Sequence, residues 1–114
     1  MSDLVEVRAT LAQSGDLEIV IAESDCDVAE IVDRLRASGA GIALLLIDSS
    51  VPALDRALLS AAIGPLAIER APHARIGAVD VADGAATADV AAAANYLLSA
   101  RSTTGQILRI TATG

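Results

Sequence analysis

Hydrophobic residues in this chain form short continuous runs that alternate with segments of helical spacing. Four apolar runs have the length of buried strands, and they lie near residues 17–22, 42–48, 76–81 and 106–112. The segments between them repeat apolar residues every three or four positions, and they cover residues 27–38, 52–70 and 87–100. This alternation predicts an α/β fold with a mainly parallel sheet of four to five strands and three helices. A chain of 114 residues suffices for one core, so we expect a single domain over residues 1–114.

The N-terminal segment Leu4–Leu11 alternates apolar and polar residues. Its apolar positions are Val5, Val7, Ala9 and Leu11, and its polar positions are Glu6, Arg8 and Thr10. This period of two predicts a half-exposed strand at an edge of the sheet. A turn signal at Gln13–Asp16 separates it from the run 17–22. The pattern leaves open whether the two segments form a hairpin or are both parallel members of the sheet.

The helical segments differ in how many apolar faces they carry. The helix 27–38 has one apolar stripe and a capping-box pattern, with Asp27 as N-cap and Glu30 three residues later, and Gly39 ends it. The helix that starts at Pro52 has two apolar stripes. The first contains Leu54, Ala57, Leu58, Ala61 and Ile68, and the second contains Leu59, Ala62, Ile63 and Leu66. Two stripes require two partners. The sheet supplies one, and the other is the neighbouring helix, another subunit or both. We expect Gly64-Pro65 to kink or interrupt this helix.

Composition and charge narrow the range of partners. Only Tyr96 is aromatic, and the net charge is −7, with few and scattered basic residues. We therefore expect neither nucleic acid nor an anionic membrane surface as a partner. Cys26 is the only cysteine, so no internal disulfide forms. The start of the chain lacks a signal-peptide pattern, and no run approaches the roughly 20 apolar residues of a spanning helix, so we expect a cytoplasmic protein.

Several segments in the second half of the chain resemble the short-chain dehydrogenase/reductase family, in order and in spacing. Thr104-Gly105-Gln106 resembles the opening of that family's last strand, and residues 89–99 are similar to its penultimate helix. Residues 65–79 resemble the end of the active-site helix and the next strand, and residues 39–50 resemble the strand that ends in the catalytic serine. The resemblance implies a Rossmann-like three-layer fold. It also implies that helix 87–100 lies on the face of the sheet opposite helix 27–38.

The family's catalytic motifs are altered in this chain. In the family, a Tyr-x-x-x-Lys pair at the start of the active-site helix supplies the general acid/base and the lysine that lowers its pKa. The resemblance aligns these two roles with Pro52 and Arg56, and the serine with Ser50. The Gly-rich pyrophosphate turn is missing, and Val81-Ala82 replaces the family's Pro-Gly. We predict that the chain is not an enzyme, with no catalytic residues and no cofactor.

Other polar residues have simpler interpretations than a site. Several carboxylates lie near the predicted carboxyl ends of strands, where a hard cation could bind; they are Glu23, Asp25, Asp27, Asp48, Asp80 and Asp83. Without a ligand-loop spacing we interpret them as helix caps and solvated loop residues, and we predict no metal site. We interpret Cys26 as structural and His73 as a surface residue, and we expect no nucleophilic role for Ser49 or Ser50 without a positioned base.

These observations lead to a functional hypothesis. The chain is predicted to be a non-catalytic relative of short-chain dehydrogenases that acts as a structural or protein-interaction module, with an unidentified protein partner as one option. We predict a homodimer whose interface is the second stripe of the helix after Pro52; its residues are Leu59, Ala62, Ile63 and Leu66. The alternative for this stripe is that helix 27–38 covers it within one chain. The alternative function is small-molecule or nucleotide binding with a residual oxidoreductase role.

Overall fold

The structure is a computed structural model that describes residues 4–11, 16–99 and 104–111. Four helices and four strands follow one another in these residues. They are α1 (Leu4–Leu11), β1 (Leu17–Ala22), α2 (Val28–Ala37), β2 (Ile42–Ile47), α3 (Ala53–Arg70), β3 (Arg75–Val81), α4 (Thr87–Ser99) and β4 (Gln106–Ile110). The four apolar runs are all strands, as predicted. The predicted turn at Gln13–Asp16 and the ends of the last strand and last helix lie partly outside the described residues.

The four strands form one parallel sheet in the order β1-β2-β3-β4. β2 and β3 are the central strands, and every residue of β2 is buried. Consecutive residues of a strand point to opposite faces, so a continuous apolar run indicates a strand covered on both sides. Leu45 accordingly packs among residues of α2 and α3, whereas Leu44 and Leu46 pack among residues of α1 and α4. The fold therefore has three layers.

The position of α4 confirms what the resemblance implied. α2 and α3 cover one face of the sheet, and α4 covers the other with Val90, Ala94 and Leu97. Each helix connects two neighbouring parallel strands, and the strands lie across the sheet in chain order. The hand of each strand–helix–strand connection therefore depends on which face of the sheet its helix covers. The β3-α4-β4 connection thus has the opposite hand from the two before it, against the general preference for one hand. Gly77 faces α4, since a Cβ there would lie at van der Waals distance, 3.4 Å, from Leu97 Cδ1.

The prediction of an edge strand at Leu4–Leu11 is wrong, because this segment is the helix α1. Leu4 and Val7 are buried, whereas Ala9 is exposed, so burial follows a period of three rather than two. α1 contacts β1 and α4, and its buried residues join the cluster that contains Ile19. A segment of only eight residues is compatible with both the period of a strand and the period of a helix. The fold selects the helix because α4 alone leaves the β1 side of this face uncovered.

Helix α3 carries its two stripes as predicted, and the structure assigns each to a different environment. Three of the four candidate interface residues, Leu59, Ile63 and Leu66, are at most 2% exposed and pack against the sheet and α2. Ala62 is half-buried against the same cluster. These positions belong to the core of the single chain, as the alternative held. The helix continues through Gly64-Pro65, so the interruption that we expected as one alternative is wrong.

The turn before β4 depends on a glycine. Gly105 has a φ of +76°, its N–H donates to the Ile76 carbonyl at 2.7 Å, and the Thr104 hydroxyl accepts from the Ile76 N–H at 3.0 Å. A Cβ at Gly105 would lie 3.2 Å from the Ala67 Cβ of α3. The residue therefore has to adopt the left-handed conformation and remain small.

We expect Gly105→Ala to lower the free energy of unfolding by about 1–3 kcal/mol, because alanine is strained at positive φ and meets α3. Urea denaturation measures the loss. The control is Gly39→Ala, where φ is not positive and a Cβ meets nothing within 4 Å. Equal effects of the two substitutions would contradict this account of the turn.

Candidate functional site

A crevice of about 630 Å³ lies at the carboxyl ends of β1, β2 and β3. The three loops after these strands, the first turns of α4 and one residue of α1 enclose it. Its lining residues are Leu4, Glu23, Ser24, Asp25, Asp48, Ser49, Ser50, Val81, Ala82, Gly84, Ala85, Thr87 and Val90. This edge is where open parallel sheets bind ligands. The described lining contains three carboxylates and no basic side chain, so its electrostatic character is acidic.

Arg56 binds the backbone beneath this crevice. Its guanidinium donates to the carbonyls of Asp48 and Ser49 at 3.1 Å each, of Val51 at 3.3 Å and of Val81 at 3.1 Å, and it also pairs with the Asp80 carboxylate. These carbonyls belong to the loop after β2 and to the end of β3. The arginine on α3 thus fixes the carboxyl ends of both central strands.

Asp80 is the buried counter-charge of this network. Its carboxylate pairs with Arg56 from the α3 side and with the Arg109 guanidinium of β4 at 3.5 Å. Asp80 is 6% exposed, whereas the Arg109 side chain is largely exposed. A carboxylate this deeply buried requires a charged partner, and the Arg56 side chain, which is only 17% exposed, provides it.

The residues aligned with the family's serine and tyrosine have local structural roles. The Ser50 hydroxyl donates to Asp48 Oδ2 at 2.5 Å, and the Ser50 N–H donates to the same oxygen at 3.1 Å. Pro52 occupies the N-cap position of α3. It has no ionisable side chain, so it cannot transfer a proton. Tyr96, on α4, is exposed and is not part of the crevice lining.

The other predicted carboxylates are divided among different environments. Glu23, Asp25 and Asp48 line the crevice, and Asp83 is exposed in the turn after β3. Asp27 caps α2, accepting from the backbone N–H groups of Ala29 at 3.0 Å and Glu30 at 3.4 Å, which confirms its predicted role. Across the described residues, no group of three or more His, Cys, Asp or Glu side chains is arranged to hold a metal ion.

Cys26 and His73 lie apart from the crevice lining. Burial raises the pKa of the Cys26 thiol, and the negative charges of Asp55, Asp25 and Asp27 raise it further, against a lowering effect of its own backbone hydrogen bond. A raised pKa leaves less thiolate at neutral pH, which fits a structural cysteine. His73 is exposed in the turn after α3.

Sequence reasoning did not predict the role of Arg56. Its partners lie on the loop after β2 and on β3, and Asp80 is 24 residues away along the chain. The only local signal was a buried strand, residues 76–81, that contains a single carboxylate. A buried carboxylate implies a cationic partner, but not which of the eight basic residues supplies it.

We expect Arg56→Ala to lower the free energy of unfolding by about 2–4 kcal/mol, because it leaves the buried Asp80 carboxylate with only the largely exposed Arg109 and removes a donor from four carbonyls. Arg56→Lys should recover only part of this loss, since an ammonium has fewer donors than a guanidinium. Arg34→Ala, at an exposed position of α2, is the control. Denaturation curves rank the three variants by their free energy of unfolding. An Arg56→Ala protein as stable as the control would refute the structural role of Arg56.

In the described part of the chain, no helix combines the length and apolar character needed to cross a bilayer.

A family model described as "Short chain dehydrogenase-like protein" matches residues 22–110, from the end of β1 to the end of β4. No curated protein and no solved structure matches the chain. The match covers most of the 114 residues, including every strand of the sheet except most of β1. The chain therefore belongs to the short chain dehydrogenase-like family.

Proposed function

We propose that this protein is a non-catalytic member of the family and acts as a structural or interaction module. The observation that carries this proposal is the set of hydrogen bonds made by the Arg56 guanidinium. It stands where the family resemblance places the catalytic lysine, and its guanidinium is occupied by four backbone carbonyls and the Asp80 carboxylate. A group bound in this way is not free to hold a ribose or to lower the pKa of a neighbour.

The charge of the crevice supports the same proposal. Glu23, Asp25 and Asp48 line it, and the described lining contains no Lys or Arg. A dinucleotide would bring a pyrophosphate close to these carboxylates, and like charges repel. The crevice itself favours the second candidate function, binding of a small molecule at the strand ends, because about 630 Å³ is enough for a metabolite-sized ligand.

We expect no dehydrogenase activity and no binding of NAD(H) or NADP(H) at millimolar concentration. The reason is the absence of a proton donor at Pro52 together with the bound state of Arg56. Calorimetric titration with each cofactor measures binding, and absorbance at the nicotinamide band measures turnover with a panel of alcohols and ketones. Saturable cofactor binding would favour the second candidate function, and protein-dependent turnover would overturn the non-catalytic proposal.

We also propose that the protein is a homodimer, with an interface different from the one predicted from the sequence. The outer face of α3 is the first apolar stripe together with the nearby proline; it consists of Leu54, Ala57, Leu58, Ala61, Pro65 and Ile68. Leu54 is 70% exposed, Leu58 48% and Ile68 80%. Three large exposed apolar side chains on one helix face are typical of a contact surface. In the family, the equivalent helix packs against its copy in a neighbouring subunit.

Substitutions on the two stripes should have different consequences. Leu54→Glu or Ile68→Glu places a charge on the outer face, so we expect a folded monomer near 11.5 kDa by light scattering. Leu59→Glu buries a charge in the core and should unfold the chain. Ala92→Glu, on the exposed side of α4, is the control and should remain dimeric. A wild-type protein that is monomeric at tens of micromolar would refute the dimer.

A further inference from the structure

The crevice at the strand ends has an acidic side and an apolar side. The loops after β1 and β2 contribute its carboxylates, whereas the end of β3, the following loop, α4 and α1 contribute its apolar residues, which are Leu4, Val81, Ala82, Ala85 and Val90. Leu4, Val81 and Val90 are buried members of one cluster, so they form a continuous apolar floor. Because β1, β2 and β3 are neighbours in that order, the carboxylates and most of this floor lie on different sides of the crevice.

The helices that begin at this edge of the sheet do not make it positive. α2, α3 and α4 each start soon after a strand ends, and a helix N-terminus carries a partial positive charge that attracts anions. Each first turn contains a carboxylate that opposes this charge; these are Glu30 in α2, Asp55 in α3 and Asp89 in α4. Arg56, beneath the crevice, is paired with the buried Asp80. The charges at this edge therefore favour a cation over an anion.

The carboxylates of the crevice suit an organic cation better than a metal ion. Within the described part of the chain, the side chains of Glu23 and Asp25 form no hydrogen bond or ion pair, whereas Asp48 accepts from Ser50. No three acidic side chains there are arranged to hold a metal ion, which is usually bound by several oxygen ligands. An ammonium group is a point charge with N–H donors, and one or two carboxylates can bind it.

We propose that the crevice binds an organic ammonium ion with an apolar body; this proposal rests on the second candidate function, small-molecule binding at the strand ends. The ammonium group donates to Glu23 and Asp25, and the apolar body lies on the floor formed by Leu4, Val81 and Val90. A crevice of about 630 Å³ is large enough for such a ligand. Head and body are both needed, because an exposed ion pair alone contributes little to affinity.

Three probes with similar bodies and different head groups test the charge of the ligand. Phenethylamine is cationic at neutral pH, phenethyl alcohol is neutral and hydrocinnamate is anionic. At low salt we expect the amine to bind with a dissociation constant roughly tenfold lower than that of the alcohol, and the anion to bind more weakly than the alcohol. Added salt should reduce this difference. NMR titrations of the backbone amides measure the affinities, and the shifts should be largest in the loops after β1, β2 and β3.

A matched pair of variants locates the charge. Glu23→Gln combined with Asp25→Asn removes two carboxylates from the crevice, so it should weaken amine binding roughly tenfold and leave alcohol binding unchanged. The control combines Glu69→Gln with Asp33→Asn, which removes the same two charges from exposed positions outside the crevice lining. Circular dichroism confirms that both double variants are folded.

The outcomes separate the charge of the ligand from the existence of a binding site. Amine selectivity that is lost in the crevice variant and kept in the control supports the proposal. Equal binding of the amine and the alcohol would overturn it while leaving a small-molecule site. Equal losses in the two double variants would show attraction to the net charge of the chain and would also overturn it. Binding of no probe to these loops at millimolar concentration would overturn both the proposal and the second candidate function.

Discussion

The contact between Arg56 and the ends of the two central strands is the interaction on which this end of the molecule depends. One guanidinium binds the loop after β2, the last residue of β3 and the buried carboxylate of Asp80. Without it, the buried Asp80 carboxylate would keep only the exposed Arg109, and several backbone carbonyls would lose a donor. The position that the family resemblance assigns to a catalytic cation is thus used to stabilise the fold. A guanidinium bound in this way is not free for a second role, which is the physical basis of our proposal that the protein is non-catalytic.

Burial on both faces of the sheet explains the other elements. β2 is buried along its whole length, and its side chains alternate between two clusters. Each cluster needs a covering layer, since apolar area exposed on a sheet face costs roughly 25 cal/mol per Å². α2 and α3 supply one layer. On the other face α4 is joined by α1, whose Leu4 and Val7 are buried there. The outer face of α3 stays exposed in the single chain, and we propose that a second copy covers it.

The sequence predicts the strands well because their signal is local. Runs such as Ile42–Ile47 contain six apolar residues in succession, a length and composition typical of a strand buried on both faces. The prediction for Leu4–Leu11 is wrong because the spacing of its apolar residues fits both a strand and a helix. The choice depends on the face of the sheet that α4 leaves uncovered near β1, which the local sequence does not show. The stripes of α3 were identified correctly, but periodicity does not say which stripe meets the sheet. Arg56 was missed because Asp80 and Val81 are 24 and 25 residues away in the chain, and its nearer partners are backbone carbonyls, which leave no mark in a sequence.

The central claim, that Arg56 is a structural residue and not a catalytic cation, is tested most directly by NMR of its guanidinium. The side-chain N–H signals of Arg56, assigned by their loss in Arg56→Lys, are followed while NADH or NADPH is added to millimolar concentration. A guanidinium bound to four carbonyls and Asp80 should exchange slowly with water and should not shift. Rapid exchange, together with a saturable shift on addition of cofactor, would contradict the account.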